Sequence, residues 1–269
     1  MTNTLRQTGR YTFLTVAAVL AVFPLYFMTV SATNDSQDVL ASQLTPGGHL
    51  LDNMKNLFAA QNVGSAFFHS MVNAVVTTVL ALAVSSIAGY AFEVYHSKAK
   101  DRLMWVLLLA IMIPFAATMI PLFQVFAKLG LVNSTFAVVL PVIATPFLVL
   151  LFRQTARSFP HEIIEAARMD GVSEIGIFFK MFIPTMRSAY VAATVITFLA
   201  AWNNFLWPKV ILLNNDYQTM PMLISNLLSG YVTDYGALML AVLITSIPTI
   251  ILFLVLQRSF VAGFTGAVK

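Results

Sequence analysis

The 269-residue chain contains no cysteine, which excludes disulfides, thiolate zinc sites, iron–sulfur clusters and cysteine nucleophiles. Charge is scarce as well: 10% of the residues are Asp, Glu, Lys or Arg, where a soluble domain carries about 25%. With 59% apolar residues and a mean hydropathy of +0.83, the excess cannot be hidden in one soluble core. A soluble enzyme and a disordered chain are both ruled out. No G-x-x-x-x-G-K-[ST] phosphate loop occurs, so the chain does not bind ATP in that way by itself. There is no Ser/His/Asp constellation, and no catalytic residue is assigned. His161 and Glu165, at i and i+4, look like half of a zincin helix, but the second histidine is missing and no metal site is assigned.

Uncharged apolar runs lie at roughly 12–32, 67–92, 103–126, 135–152, 188–208 and 236–257. Each is near the ~20 residues that a membrane-spanning helix needs, and none holds Asp, Glu, Lys or Arg in its interior. Backbone groups in lipid must pair internally, and runs this long do not alternate as barrel strands do, so six helices are expected. The chain reads as one integral membrane domain over 1–269, with no repeat and no long linker. Arg6 and Arg10 followed by an apolar run ending Val30-Ser31-Ala32 mimic a cleaved signal peptide. The run is too long for an h-region, so it is read as a true span.

With the N-terminus inside, twelve cationic residues fall on the cytoplasmic side: Arg6, Arg10, Lys98, Lys100, Arg102, Arg153, Arg157, Arg168, Lys180, Arg187, Arg258 and Lys269. Three fall outside, Lys55, Lys128 and Lys209. The positive-inside rule therefore places both termini in the cytoplasm. Bare spans also speak against a proton relay, because proton-driven carriers keep carboxylates at membrane depth. Ion coupling through unwound backbone carbonyls stays open, but if solute moves uphill a partner protein is the expected source of energy. The longest outer segment, 33–66, carries a Pro46-Gly47-Gly48 turn and then Leu50, Leu51, Met54, Leu57 and Phe58, a spacing that suits a short helix lying on the outer surface.

Between the fourth and fifth runs lies a patterned cytoplasmic loop, 153–187. Pro160 suits a first helical turn, Glu162 and Glu165 sit where the helix dipole favours acid, Arg168 sits near the end, and Gly171 is placed for a left-handed stop. Ser173 can cap a second helix through Ile175, Phe178, Phe179 and Phe182, with Pro184 at its junction with the fifth span. Ile163, Ala166, Ala167 and Met169 give the first helix an apolar strip that suits either a groove on another protein or the lipid interface.

The run Glu165-Ala166-Ala167-Arg168-Met169-Asp170-Gly171, with Ile183-Pro184 following, resembles the EAA-x3-G-x9-I-x-L-P signature of ABC importer permeases. It departs from that pattern at Met181 and Ile183, which keep the apolar character. Asn73, Ala88-Gly89-Tyr90-Ala91-Phe92, the stretch Ala201 to Pro208 and the tail from Gln257 to Lys269 extend the resemblance over nearly the whole chain. Together they are similar to the six-span, MalG-type permeases of the carbohydrate-uptake class.

That resemblance implies an all-α membrane protein of the ABC type I importer permease fold, in a bacterial or archaeal cytoplasmic membrane. Expected partners are a second permease, two ATPase subunits carrying ATP and magnesium, and an extracytoplasmic solute-binding protein; the expected solute is a sugar, an oligosaccharide or glycoside, with glycerol phosphate or another polar solute as the nearest alternative. An ATP-independent carrier or channel is the rival outside the class. The resemblance assigns coupling to Glu165, Ala166, Ala167, Asp170, Gly171 and Pro184, and makes the tail residues Gly263, Gly266 and Lys269 candidates for an ATPase contact. Asn203, Asn204 and Trp202 are candidates for the solute path, with interhelical bonding and interfacial anchoring as their plainer roles. Asp216, Tyr217 and Gln218 lie in a loop that resembles the segment meeting the binding protein.

Overall fold

Apolar runs close their own hydrogen bonds as helices in the computed structural model, which describes residues 2–266 (side chains of 6–257) and contains no strand among them. In chain order the helices are α1 (Thr2–Ser31), α2 (Ser36–Leu40), α3 (Leu50–Ala60), α4 (Val63–Val94), α5 (Lys98–Ile111), α6 (Phe115–Lys128), α7 (Thr135–Val139) and α8 (Pro146–Arg157). They continue as α9 (His161–Met169), α10 (Glu174–Ile177), α11 (Ile183–Thr185), α12 (Arg187–Trp202), α13 (Leu206–Ile211), α14 (Met220–Leu228) and α15 (Tyr235–Gly266).

Three of the six expected spans are single long helices, Arg6–Ser31, Val63–Val94 and Tyr235–Gln257. Two of the other runs are broken inside: α5 and α6 meet at 99° across Met112–Pro114, and Thr135–Val142 meets α8 at 50°. The fifth run opens just past a bend, where Glu174–Thr185 of the cytoplasmic loop meets α12 at 80°. The third run reads in the sequence as one helix, and Pro114 is the reason it is two. Proline lacks the amide hydrogen a continuing helix needs, and it disfavours helical geometry in the residue before it. Each half is then about 21 Å long at 1.5 Å per residue, short of the roughly 30 Å of hydrocarbon.

The chain forms two compact units, one from its start to Gly64 with Met220–Pro248, the other from Ser65–Thr219 with the chain from Thr249 on. In the first, α1 presents nearly every described side chain from Arg6 to Tyr26 outward. The remainder is held by polar contacts. Asn53, 4% exposed, donates from Nδ2 to the carbonyls of Ala32 (2.9 Å) and Asn34 (2.8 Å). Asp234 caps α15 through the Ala237 amide (3.0 Å) and accepts from Ser36 Oγ (3.3 Å) and Asn56 Nδ2 (2.8 Å). In the outer helix α3, Leu50, Leu51, Met54 and Phe58 of the expected apolar strip are exposed, and Leu57 alone turns inward beside Asn53.

In the second unit α4 and α8 touch backbone to backbone. A Cβ on Gly89 would stand 2.6 Å from Phe152 Cβ and 2.7 Å from the Arg153 amide, so only glycine permits this approach. Arg153 then ties three helix ends together, donating to Glu93 (3.2 Å) and Asp101 (2.7 Å), with His96 on the second oxygen of Asp101 (3.0 Å). Lys100 donates to the carbonyls of Ala91 (3.1 Å) and Tyr95 (2.5 Å), at the end of α4 where carbonyls lack helical partners.

Candidate functional site

The loop 153–187 folds as expected in outline, with one helix, a stop and a second helix. α9 begins after Pro160 and ends in a full Schellman closure. The Val172 amide donates to the Ala167 carbonyl (2.9 Å) and the Gly171 amide to the Arg168 carbonyl (3.1 Å), with Gly171 at φ +75°. Ser173 caps the next helix by accepting from the Gly176 amide (3.2 Å). That second helix is not uniform. α10 passes into a π-turn at Phe178–Phe182 before α11, and the 80° bend falls at Met186. Pro184 offers no amide to the carbonyl four residues back, which favours a looser winding ahead of it.

α9 is seated by its inner face. Ile164 and Ala167 are 2% and 3% exposed and pack in a cluster with Tyr90, Phe159, Ile177, Phe178 and Phe182. Tyr90 and Phe182 rings stand 4.9 Å apart and Phe178 stacks on Phe182 at 5.6 Å, so the support is a slab of aromatic rings. The apolar strip expected on α9 therefore divides. Ala167 belongs to the inner face together with Ile164, while Ile163, Ala166 and Met169 face outward. Between them the outer surface carries Glu162, Glu165 and Asp170, exposed and with no side-chain hydrogen bond or ion pair to the described residues.

A second restraint has no counterpart in the sequence pattern. Arg168 grips Glu174 with two bonds, Nε to Oε1 (2.6 Å) and Nη2 to Oε2 (3.2 Å), and the Tyr95 hydroxyl donates to the same Oε2 (2.6 Å). The end of α9, the start of α10 and the end of α4 thus meet at one carboxylate. The Arg168 guanidinium first, and the Tyr95 hydroxyl next, hold the Glu174 carboxyl below its ordinary range. Partial burial first, and the bond to Glu174 next, push the Tyr95 hydroxyl above its ordinary range. Arg168 and Glu174 are six residues apart, a distance at which a sequence offers no rule, and Tyr95 lies 79 residues from Glu174.

The other candidates are dispersed. Trp202 is 1% exposed, stacked on Phe198 at 5.9 Å and edge-on to Phe67 at 5.6 Å, so its faces are occupied. Asn203 is exposed and donates to the Leu199 carbonyl (2.9 Å). Asn204 lines a cavity of about 230 Å³. In the outer loop Asp216 and Tyr217 are exposed, but Gln218 is 3% exposed and turned inward. Gly263 and Gly266 fall within the α15 backbone, and Lys269 lies outside the described residues.

A family model described as binding-protein-dependent transport system inner membrane component matches residues 81–265. The lactose transport system permease protein LacG of Rhizobium radiobacter is 42% identical over 260 residues, covering 97% of this chain and 95% of LacG. The arabinooligosaccharides transport system permease protein AraQ of Bacillus subtilis (strain 168) is 36% identical, covering 96% of this chain and 94% of AraQ. The sn-glycerol-3-phosphate transport system permease protein UgpE of Pectobacterium atrosepticum is 32% identical, covering 94% of each. Among solved structures, a chain of a bacterial ABC transporter involved in alginate import superposes with a TM-score of 0.81 at 19% identity, covering 97% of this chain and 98% of that one. At that identity the likeness carries the fold alone.

Proposed function

Since the chain belongs to the family of binding-protein-dependent transport system inner membrane components, we propose that it works as one permease domain over 1–269, lining half of an ATP-driven import path. The energy enters through α9. One observation carries this reading: a nine-residue helix whose inner face is locked on an aromatic slab, while Glu162, Glu165, Ala166 and Asp170 stay exposed on the other side. A helix held so firmly transmits displacement, and its free acidic and small residues are what a cleft on an ATPase subunit can engage. Gly171 and the Arg168–Glu174–Tyr95 contact make the helix and its neighbours move as one lever, so ATPase closure rocks the spans. Asp216 and Tyr217 are exposed on a loop that a solute-binding protein can meet, and both termini lie on the ATPase side, as the distribution of Lys and Arg supports.

The solute is a sugar. Relatives named for lactose and for arabino-oligosaccharides stand at 42% and 36% identity, ahead of those named for glycerol phosphate at 32%. The chain itself makes no covalent change to it. The test is mild-detergent purification of the tagged chain from its native membrane with mass spectrometry of what remains bound. An ATPase and a second permease in comparable amounts are expected. A chain that comes away alone and still transports in vesicles without ATP would contradict the reading.

A further inference from the structure

Hydroxyls in these helices normally bond back to the carbonyl one turn earlier. Thr78 donates to Ala74 (2.7 Å), Thr194 to Tyr190 (2.8 Å), Thr245 to Ala241 (2.8 Å) and Ser246 to Val242 (2.9 Å). Thr197, three residues after Thr194 on α12, does not. It is 7% exposed and its Oγ1 has no hydrogen-bond partner among the described residues. A buried hydroxyl left unpaired is costly, and native structures keep such groups where something else completes them.

Thr197 lines the cavity of about 230 Å³ in the second unit. The cavity's polar side chains are Thr77 of α4, Thr145 at the break before α8, Thr197, and Asn204 just beyond α12; Leu148 and Ile196 are among the apolar remainder. Asn73, one turn before Thr77 on the same face of α4, is likewise buried with its Oδ1 unpartnered. Among the described residues no Asp, Glu, Lys, Arg or His lines the cavity. It is smaller than the ~300–1,000 Å³ of a site that encloses a whole ligand, as expected of one wall of a path completed by a second permease. A break in a span is also where transporters place their solute.

We propose that this cavity is the chain's own section of the solute path, that the Thr77 and Thr197 hydroxyls and the Asn204 amide serve the hydroxyls of a neutral solute, and that it excludes solutes bearing phosphate or carboxylate. The inference rests on the importer reading and adds a choice of substrate charge to it. Apolar walls with scattered hydroxyls match a sugar ring, whose faces are apolar and whose rim is hydroxylated. An anion would have to be stripped of water with no cation to meet it. The N-terminus of α8 offers a positive field worth about half a unit charge, against the nearly two negative charges of a phosphate.

The absence of native cysteine makes this testable without knowing the solute. Thr197→Cys and Thr77→Cys are made singly in the assembled transporter, with Tyr231→Cys, at a fully exposed position, as reference. Labelling of this chain is timed with a neutral reagent, hydroxyethyl methanethiosulfonate, and an anionic one of similar size, sulfonatoethyl methanethiosulfonate. At positions 197 and 77 the neutral reagent is expected to react at least about tenfold faster relative to the reference, since the cavity penalises charge. The rates should also change when the ATPases are trapped in their closed state. Equal relative rates for the two reagents, or no labelling in any nucleotide state while Tyr231→Cys reacts, would overturn the proposal. A complex that hydrolyses no ATP would sink the importer reading instead, with the reagent ratio still deciding the cavity.

Discussion

α3 and α9 are two short surface helices built in opposite senses. α9 buries apolar Ile164 and Ala167 and keeps its charges outside, whereas α3 buries the amide of Asn53 beside a single leucine, Leu57, and leaves Leu50, Leu51, Met54 and Phe58 exposed. The first is the arrangement of a helix read by water or by a protein cleft. The second is that of a helix anchored by a buried amide and one leucine, with most of its apolar side left for lipid or another subunit. Each is restrained where its opposite is free, and that difference decides what substitution does to each.

The largest effect is expected at the polar anchor. A Cβ on Gly236 would stand 2.5 Å from Asn53 Oδ1 and 2.6 Å from the Asn34 carbonyl. Gly236→Ala therefore forces the Asn53 amide off its two carbonyls, for a loss of roughly 2–4 kcal/mol from overpacking and unpaired buried groups. Thermal unfolding of the purified complex reads it; Leu51→Ala on the exposed side should leave the midpoint where it was. A melting point unchanged by Gly236→Ala would show that hydrogen bonds do not anchor α3.

A smaller effect is expected at the end of α9. Gly171 holds φ +75°, and a Cβ there would meet no atom within 4 Å, so Gly171→Ala is penalised by backbone conformation alone, about 1–2 kcal/mol. Hydrogen exchange should quicken in the last turn of α9 while the rest of the chain is unaffected. Uniform quickening would mean that α9 is not an independent rigid piece.

The smallest concerns the exposed contact at Glu174. Its carboxyl is held below the ordinary range by Arg168 and Tyr95, so the contact contributes fully above the unfolded-state value of about 4.3 and is lost as pH falls through the depressed folded value. Between neutrality and the unfolded value the wild type keeps α9 protection, below it the protection declines, and Glu174→Gln lacks that contribution at neutral pH already. The two should converge in acid. A difference that persists in strong acid would assign the effect to something other than ionisation.

Much of this is legible in local chemistry. The six apolar runs mark helical segments, Gly171 announces the left-handed stop, and Ser173 announces a cap, because each depends on residues within a few positions. The breaks are less legible. Pro114 is visible, but proline inside a helix is also tolerated here, at Pro24, Pro121 and Pro248, so its presence alone does not say whether a span bends by 99°. The inner face of α9 escapes a local reading because Ile164 and Ala167 find their partners on α4 and beyond, and the burial of Asn53 depends on carbonyls 21 and 19 positions away. Glu174 gains its role only when folding brings Tyr95 beside it.

The central claim is that α9 carries force through its exposed face. Glu165→Lys reverses a charge on that face without touching a partner among the described residues, so the fold should survive. The decisive measurement is solute uptake per ATP hydrolysed in vesicles holding the complete complex. The account predicts that the Glu165→Lys complex assembles but loses most of this ratio, with ATP hydrolysis no longer raised by the loaded binding protein. A wild-type ratio with normal stimulation would contradict it.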